Sequence, residues 1–290
     1  MKSITVTDVR AEKGDASFLI DDGKTSILYD VGFGFTGYKV ADNIKAVLGE
    51  RSLDYIFLTH SHYDHALGSP YVLRKYPNAK VVAGEYAAYV FTRDGAKRVM
   101  RELDGKVAAS CGVTDYEFLG DELRVDVAVK EGDVIRAGDF SFEVIALPGH
   151  TRCCIGFYEK QSGLLLSNET LGSFDGEKTI VPSFLTSYAD TIASIQKIEK
   201  LGVKQLLSPH YGPLSEKATA YFLKHMKSAT EETANEILSL VQSGKSDEEI
   251  IGVLKNRFLH GYIKDIYPED AASLNFSIMI ALVKKELLAK

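Results

Sequence analysis

Thr59-His60-Ser61-His62-Tyr63-Asp64-His65 holds three of the chain's seven histidines and an aspartate. The run before it, Leu53-Asp54-Tyr55-Ile56-Phe57-Leu58, is short, apolar and aromatic, and reads as a buried strand. His60 and His62 therefore leave the end of a strand together. Asp64 and His65 point back toward them from the start of the next helix, expected over residues 66–75. Imidazole and carboxylate are the groups that Zn²⁺, Fe²⁺ and Mn²⁺ accept from proteins. So dense a cluster reads as metal-binding sequence.

The same grammar recurs downstream. Phe142-Glu143-Val144-Ile145-Ala146-Leu147 alternates as a strand and runs through Pro148-Gly149 into His150. Lys204-Gln205-Leu206-Leu207-Ser208-Pro209 leads into His210, and Gly163-Leu164-Leu165-Leu166-Ser167-Asn168 ends in Glu169. Apolar strands far apart in sequence thus each deliver a metal-capable residue just past the C-terminal end. In layered α/β folds such loops gather at one sheet edge, where sites are built. A centre of two divalent ions, Zn, Fe or Mn, is the simplest arrangement that uses all of these groups.

At these residues the chain resembles the metallo-β-lactamase-fold hydrolases, whose pattern is His-x-His-x-Asp-His, a later His, a bridging acid and a final His. The resemblance covers residues 1–213 and implies an αββα sandwich of two mixed sheets. It implies that His60, His62 and His150 hold one metal, and that Asp64, His65 and His210 hold the other. It implies further that Glu169 bridges the two ions and that Asp30, in Leu28-Tyr29-Asp30-Val31-Gly32, supports the ligands from behind. The family's bridging residue is normally aspartate in a stretch like Ser-Gly-Asp-Thr-Leu, whereas this chain has Ser167-Asn168-Glu169-Thr170-Leu171. Glutamate is one methylene longer, which bears on metal spacing, occupancy and preference. Asn168 is the competing candidate should the loop be displaced.

With 290 residues, 45% hydrophobic and 26% charged, the chain can bury a large core. The expected organisation is a catalytic domain over 1–213 and a helical extension over 214–290 that covers the cleft. Lys and Arg total 34 against 40 Asp and Glu, a net charge of −6, which disfavours nucleic acid as a partner. No apolar run approaches the roughly 20 residues that span a bilayer, so no membrane association is expected. Met1-Lys2-Ser3-Ile4-Thr5-Val6-Thr7-Asp8 alternates like a strand and has no signal-peptide pattern, so a cytoplasmic location follows. Cys111, Cys153 and Cys154 do not form a disulfide framework. Cys153 and Cys154 read as buried residues opening a strand at 153–158, with the alternative that one faces the site.

Strands are expected at 3–9, 16–21 and 25–30, helices at 38–48, 85–103 and 188–200, and a return to strands over 125–168. In the extension, Ala218, Tyr221, Phe222, His225, Met226 and Ala229 mark one helical face, and Gly244 stops that helix. Ser246-Asp247-Glu248-Glu249 is a capping box, and Pro268 suits the first turn of a third helix that is apolar on more than one face. That breadth implies burial against the main domain, the other helices or a second copy in a homo-oligomer. His225 reads as a packed helix residue or as lining of the cleft, and His260 as a loop residue. Residues 174–188, with Phe174, Pro182, Phe184 and Tyr188, either pack the helical layer or wall a substrate pocket.

The tail and the motif are similar to the glyoxalase II type of thioesterase and, more closely, to the quinolone signal response type. The chain is therefore expected to be a dinuclear metal hydrolase of a small-molecule acyl thioester, such as an acyl-CoA. Asp64 is its expected catalytic residue, holding the metal-bound nucleophile in line and taking its proton. A lactonase or phosphodiesterase on the same metals, a mononuclear iron oxygenase and a ligand-binding signalling protein are the alternative readings.

Overall fold

The computed structural model describes residues 4–288. By its internal contacts the chain divides into one unit of Met1–Ile145 with Phe157–Glu159, and a second of Ala146–Gly156 with Lys160–Lys290.

The first unit is built on a sheet of β1 (Thr5–Asp8), β2 (Phe18–Asp21), β3 (Ser26–Tyr29), β4 (Tyr55–Leu58), β5 (Lys80–Gly84) and β6 (Val127–Val129), hydrogen-bonded in that order. The first three strands run antiparallel and β3 to β6 parallel, so the sheet is mixed. The β3–β4 register pairs Tyr29 with Phe57. Residues that follow these two strands, Asp30 on one and Thr59 and His60 on the other, therefore emerge at the same edge. Helix α1 (Gly37–Leu48) crosses from β3 to β4 and buries Val40, Ala41, Ile44 and Leu48 at helical spacing. The expected helix over 66–75 is two pieces, α2 (Tyr63–Ala66) and α3 (Ser69–Lys75). Gly68 lies between them against the β3 loop, where a Cβ would meet the Val31 carbonyl oxygen at 2.5 Å.

The expected helix at 85–103 is also two, α4 (Glu85–Phe91) and the longer α5 (Asp94–Ser110), inserted between β5 and β6. A hairpin of β7 (Val134–Ala137) and β8 (Phe140–Ala146) belongs to the second sheet. Phe57 of β4 stacks at 4.5 Å on Phe157 and meets Phe142 edge-on at 5.3 Å, so two layers close over an aromatic core within this unit. The strand expected at 3–9 is observed from Thr5 to Asp8; residue 3 lies outside the described residues.

In the second unit, β9 (Ile155–Glu159, shared with the first unit) starts two residues later than expected, leaving Cys153 and Cys154 buried in the preceding turn, where Thr151 Oγ1 lies 3.1 Å from each sulfur. Strand β10 (Leu164–Leu166) runs parallel to β13 (Gln205–Ser208), which pairs antiparallel with β14 (Gly212–Pro213). Leu166 sits opposite Leu207, so Glu169 and His210 leave neighbouring strand ends. A short hairpin of β11 (Ser173–Phe174) and β12 (Ile180–Val181) follows Glu169, and α6 (Tyr188–Glu199) precedes β13.

The helical tail comprises α7 (Glu216–Gln242), α8 (Asp247–Phe258), α9 (Gly261–Ile266) and α10 (Glu269–Val283). Helix α8 starts at the expected capping box, with Ser246 and Glu249 satisfying each other's backbone N–H groups. Helix α9, capped at His260, was not expected. Phe184, Ile237, Leu254, Phe276 and Met279 form the core of this layer. No helix among the described residues is long and apolar enough to cross a membrane.

Candidate metal centre

In the first unit, His60, His62, Asp64 and His65 all follow β4, where the chain leaves the sheet edge and turns into α2. The ligand atoms of His60 and His62, of His60 and His65, and of Asp64 and His65 lie within 4.8 Å of one another. His60 and His65 are buried, while Asp64 and His62 are partly exposed. Such a group suits a cation, because imidazole and carboxylate donors converge without an intervening apolar layer.

Asp30 organises these rings. Its Oδ2 accepts from His65 Nδ1 at 2.8 Å and from the Thr59 hydroxyl at 2.8 Å, and its Oδ1 accepts from Thr59 N at 2.8 Å. The Thr59 hydroxyl has a single proton and gives it to the carboxylate. At 3.0 Å from His60 Nδ1, its oxygen must then accept, so His60 also carries its proton on Nδ1. Both rings are thereby held in the tautomer whose Nε2 has the lone pair, the form that binds a metal. Burial pushes the Asp30 carboxyl above the usual carboxylate range, against the opposing pull of His65 and of the Thr59 hydrogen bonds.

In the second unit, His150 Nδ1 lies 3.0 Å from the Ser183 carbonyl oxygen and 2.9 Å from Ser183 Oγ. A carbonyl only accepts, so Nδ1 is again the donor and Nε2 keeps the lone pair that a metal could bind. Gly149 makes this placement possible. Its φ is +140°, a Cβ would meet Thr191 Oγ1 at 2.1 Å, and its carbonyl accepts from Leu185 N and Thr186 N. Glu169 opens a short 3₁₀ turn with Asn168 as its cap, and Glu169 Oε1 lies 3.0 Å from His210 Nε2. Asn168 Oδ1 accepts from Thr170 N, and its amide donates to the Ile155 carbonyl, both at 3.0 Å. The Asn168 side chain is thus committed to the backbone, which removes it as a rival to Glu169.

Asp30 and His210, with φ of 46° and 61°, are the non-glycine residues with positive φ among the described residues. Backbone strain of this kind persists where the surroundings over-determine it, and it clusters at functional sites. The Tyr262 hydroxyl braces the second of these, donating to the His210 carbonyl at 2.7 Å. In both units the donor chemistry fits a divalent ion.

Residues 14–210 match the metallo-beta-lactamase superfamily. The chain belongs to this family. Its two mixed sheets with outer helices and a helical C-terminal region are the αββα sandwich of the metallo-beta-lactamase fold, and membership implies a divalent metal. The chain is 29% identical over 159 residues to Glyoxylase B2 of Dictyostelium discoideum, covering 54% of this chain and 47% of the relative. It is 39% identical over 77 residues to an atrochrysone carboxyl ACP thioesterase of Emericella nidulans, covering 26% of this chain and 24% of the relative. These alignments span about half or less of the relatives' length. A metallo-beta-lactamase family protein from Thermus thermophilus superposes with a TM-score of 0.62 at 19% identity, over 93% of this chain and 88% of that one. That likeness shows the fold.

The other residues singled out from sequence fall in the second unit. Phe174 is fully buried against Phe222 at 5.2 Å and parallel to Tyr221 at 6.1 Å. Phe184 is fully buried in the helical core, with Tyr188 packed edge-on at 5.4 Å. His225 stacks on Tyr221 at 4.1 Å and lines a cavity of about 230 Å³ together with Lys178, Arg257 and His260. Thr59 and Ser183 were missed from sequence. Thr59 directly precedes His60, a position from which a hydroxyl reaches the ring of its neighbour, but nothing in sequence marks Ser183 as the partner of His150.

Proposed function

We propose that the chain is a metal-dependent hydrolase of small-molecule acyl thioesters, with metal ligands drawn from the residues after β4 and from His150, Glu169 and His210. His60, His62, Asp64 and His65 in the first unit, and His150, Glu169 and His210 in the second, are the residues that would hold divalent ions. The observation that carries this reading is that Nδ1 of His60, His65 and His150 each lies within hydrogen-bond distance of a protein oxygen, an arrangement that leaves Nε2 of each ring for a ligand. Such outer partners are what a metal site needs and a surface histidine does not. The relative named a thioesterase supports the substrate class.

Bound divalent ions supply a hydroxide at neutral pH and polarise the scissile carbonyl. The residues of the chain do the rest. Asp64, partly exposed and 3.9 Å from His65 Nε2, would hold the attacking oxygen by its proton and then accept that proton. Asp30 keeps the buried imidazoles from turning or changing tautomer during turnover. The carbonyl carbon gains an oxygen and loses a thiolate, giving a carboxylic acid and a thiol. A thiolate leaves with little help from an acid, so such a site suits thioesters.

The test is metal content by plasma mass spectrometry on chain prepared without chelators, with hydrolysis assayed on thioester, lactone and phosphodiester substrates. About two divalent ions per chain and thioester turnover that chelation abolishes are expected. A single ion or none, with no thioester turnover, would overturn the proposal.

A further inference from the structure

The loop from β3 to α1 connects the Asp30–His65 pair to a part of the chain that has no counterpart in the ligand pattern. On its inner side the loop is tied to the metal helix, because Val31 N donates to the His65 carbonyl at 2.8 Å and Gly68 N to the Gly32 carbonyl at 3.1 Å. On its outer side two buried carboxylates hold it. Asp15 Oδ1 accepts from Phe33 N and from the Thr36 hydroxyl, each at 3.1 Å. Asp104 Oδ1 accepts from Gly34 N at 2.8 Å, and Asp104 also accepts from the Phe35 amide.

Asp104 is the unexpected member. It comes from the middle of α5, is fully buried, and lies 70 residues away in sequence from the amide it holds. A carboxylate on the buried face of a helix is costly unless its oxygens are satisfied and its place matters. Its Oδ2 is taken by the Tyr116 hydroxyl at 2.6 Å. The fit at the loop leaves no slack, since a Cβ on Gly34 would stand 2.8 Å from Asp104 Oδ2. Helix α5 also packs on α2, which carries Asp64 and His65.

We propose that Asp104 and Tyr116 are positioning residues. From the insertion between β5 and β6 they hold the 33–36 loop and, through it, keep Asp30 and His65 in metal-binding geometry. This rests on the metal centre proposed above. The strained φ of Asp30 supplies the reason for the device: a backbone at 46° relaxes unless the chain on its far side is fixed, and Asp104 fixes it.

The test measures zinc affinity of the full chain by competition with a chelating dye, alongside the thermal midpoint of the metal-free protein. Tyr116→Phe, Gly34→Ala and Asp104→Ala are each expected to weaken zinc about tenfold. Gly34→Ala and Asp104→Ala should be less than additive together, because the steric conflict at Gly34 requires the carboxylate. Should Asp104→Ala fail to fold, Tyr116→Phe and Gly34→Ala decide the matter. Variants that melt lower yet bind zinc within about twofold of the native chain would show a purely structural brace and overturn the proposal. A native chain that binds no zinc, iron or manganese would instead overturn the metal centre itself.

Discussion

Replacing Asp30 by asparagine should leave the fold intact and disable the metal site. In Asp30→Asn one carboxylate oxygen becomes an NH₂ group. With that group in the place of Oδ2, it donates to Thr59 Oγ1 and to His65 Nδ1, while the remaining oxygen still accepts from Thr59 N. His65 satisfies the new donor by moving its proton to Nε2. The Thr59 hydroxyl, no longer giving its proton to position 30, donates to His60 Nδ1, and His60 shifts its proton to Nε2 as well. Every buried hydrogen bond is kept, so the metal-free chain should melt close to the native protein. Both rings now present N–H where the ligand lone pair was. Returning them to the metal-binding tautomer leaves a donor facing a donor at each ring, about 1–3 kcal/mol apiece. The lower half of the range for the pair, about 2–4 kcal/mol, corresponds to roughly 30- to 900-fold in affinity. Zinc competition titration and ¹⁵N spectra of the imidazoles would measure the two consequences. Zinc bound within about twofold of native, with His65 still protonated on Nδ1, would refute the relay from Asp30 through Thr59. Thr59→Val, which interrupts the relay to His60 alone, should cost about tenfold.

Glu169→Ala should lower bound metal from about two ions per chain to about one, read by plasma mass spectrometry. Asp15 is pushed from 3.8 up to about 6 by burial, against hydrogen bonds from Phe33, Glu12, Ala11 and Thr36. A folded-state value above the unfolded one means its contribution is complete below 3.8 and lost as pH rises through about 6. Unfolding free energies from urea titration should therefore fall with rising pH by on the order of 3 kcal/mol more in the native chain than in Asp15→Asn. His210→Gly and His210→Ala both delete the imidazole, but only alanine keeps a Cβ at a φ of 61°. The glycine variant should be the more stable of the two by about 1 kcal/mol, and an alanine variant as stable as the glycine one would disprove strain at this position.

What could be read from sequence is what local pattern controls. The proposed ligands His60, His150, Glu169 and His210 stand out in sequence because each follows a short apolar run, and a strand end fixes where the next residues emerge. The α8 capping box was legible because its partners sit three residues apart. Breaks caused by distant contacts were hidden. Gly68 divides the metal helix because the β3 loop passes against it, and that approach exists only in three dimensions. The same holds for Ser183 behind His150 and Asp104 behind Gly34, partners 33 and 70 residues apart. Ligand identity is thus written locally, while ligand protonation is written in tertiary contacts. A metal ion binds a lone pair rather than a residue type, so the hidden half decides whether the visible half functions. That is why Asp30→Asn, which changes no proposed ligand and almost no volume, is expected to cost more metal affinity than the single contact at Thr59, and why a family pattern matched everywhere but at Glu169 still leaves the affinity of the proposed ligands to Asp30, Thr59, Ser183 and the loop that holds them.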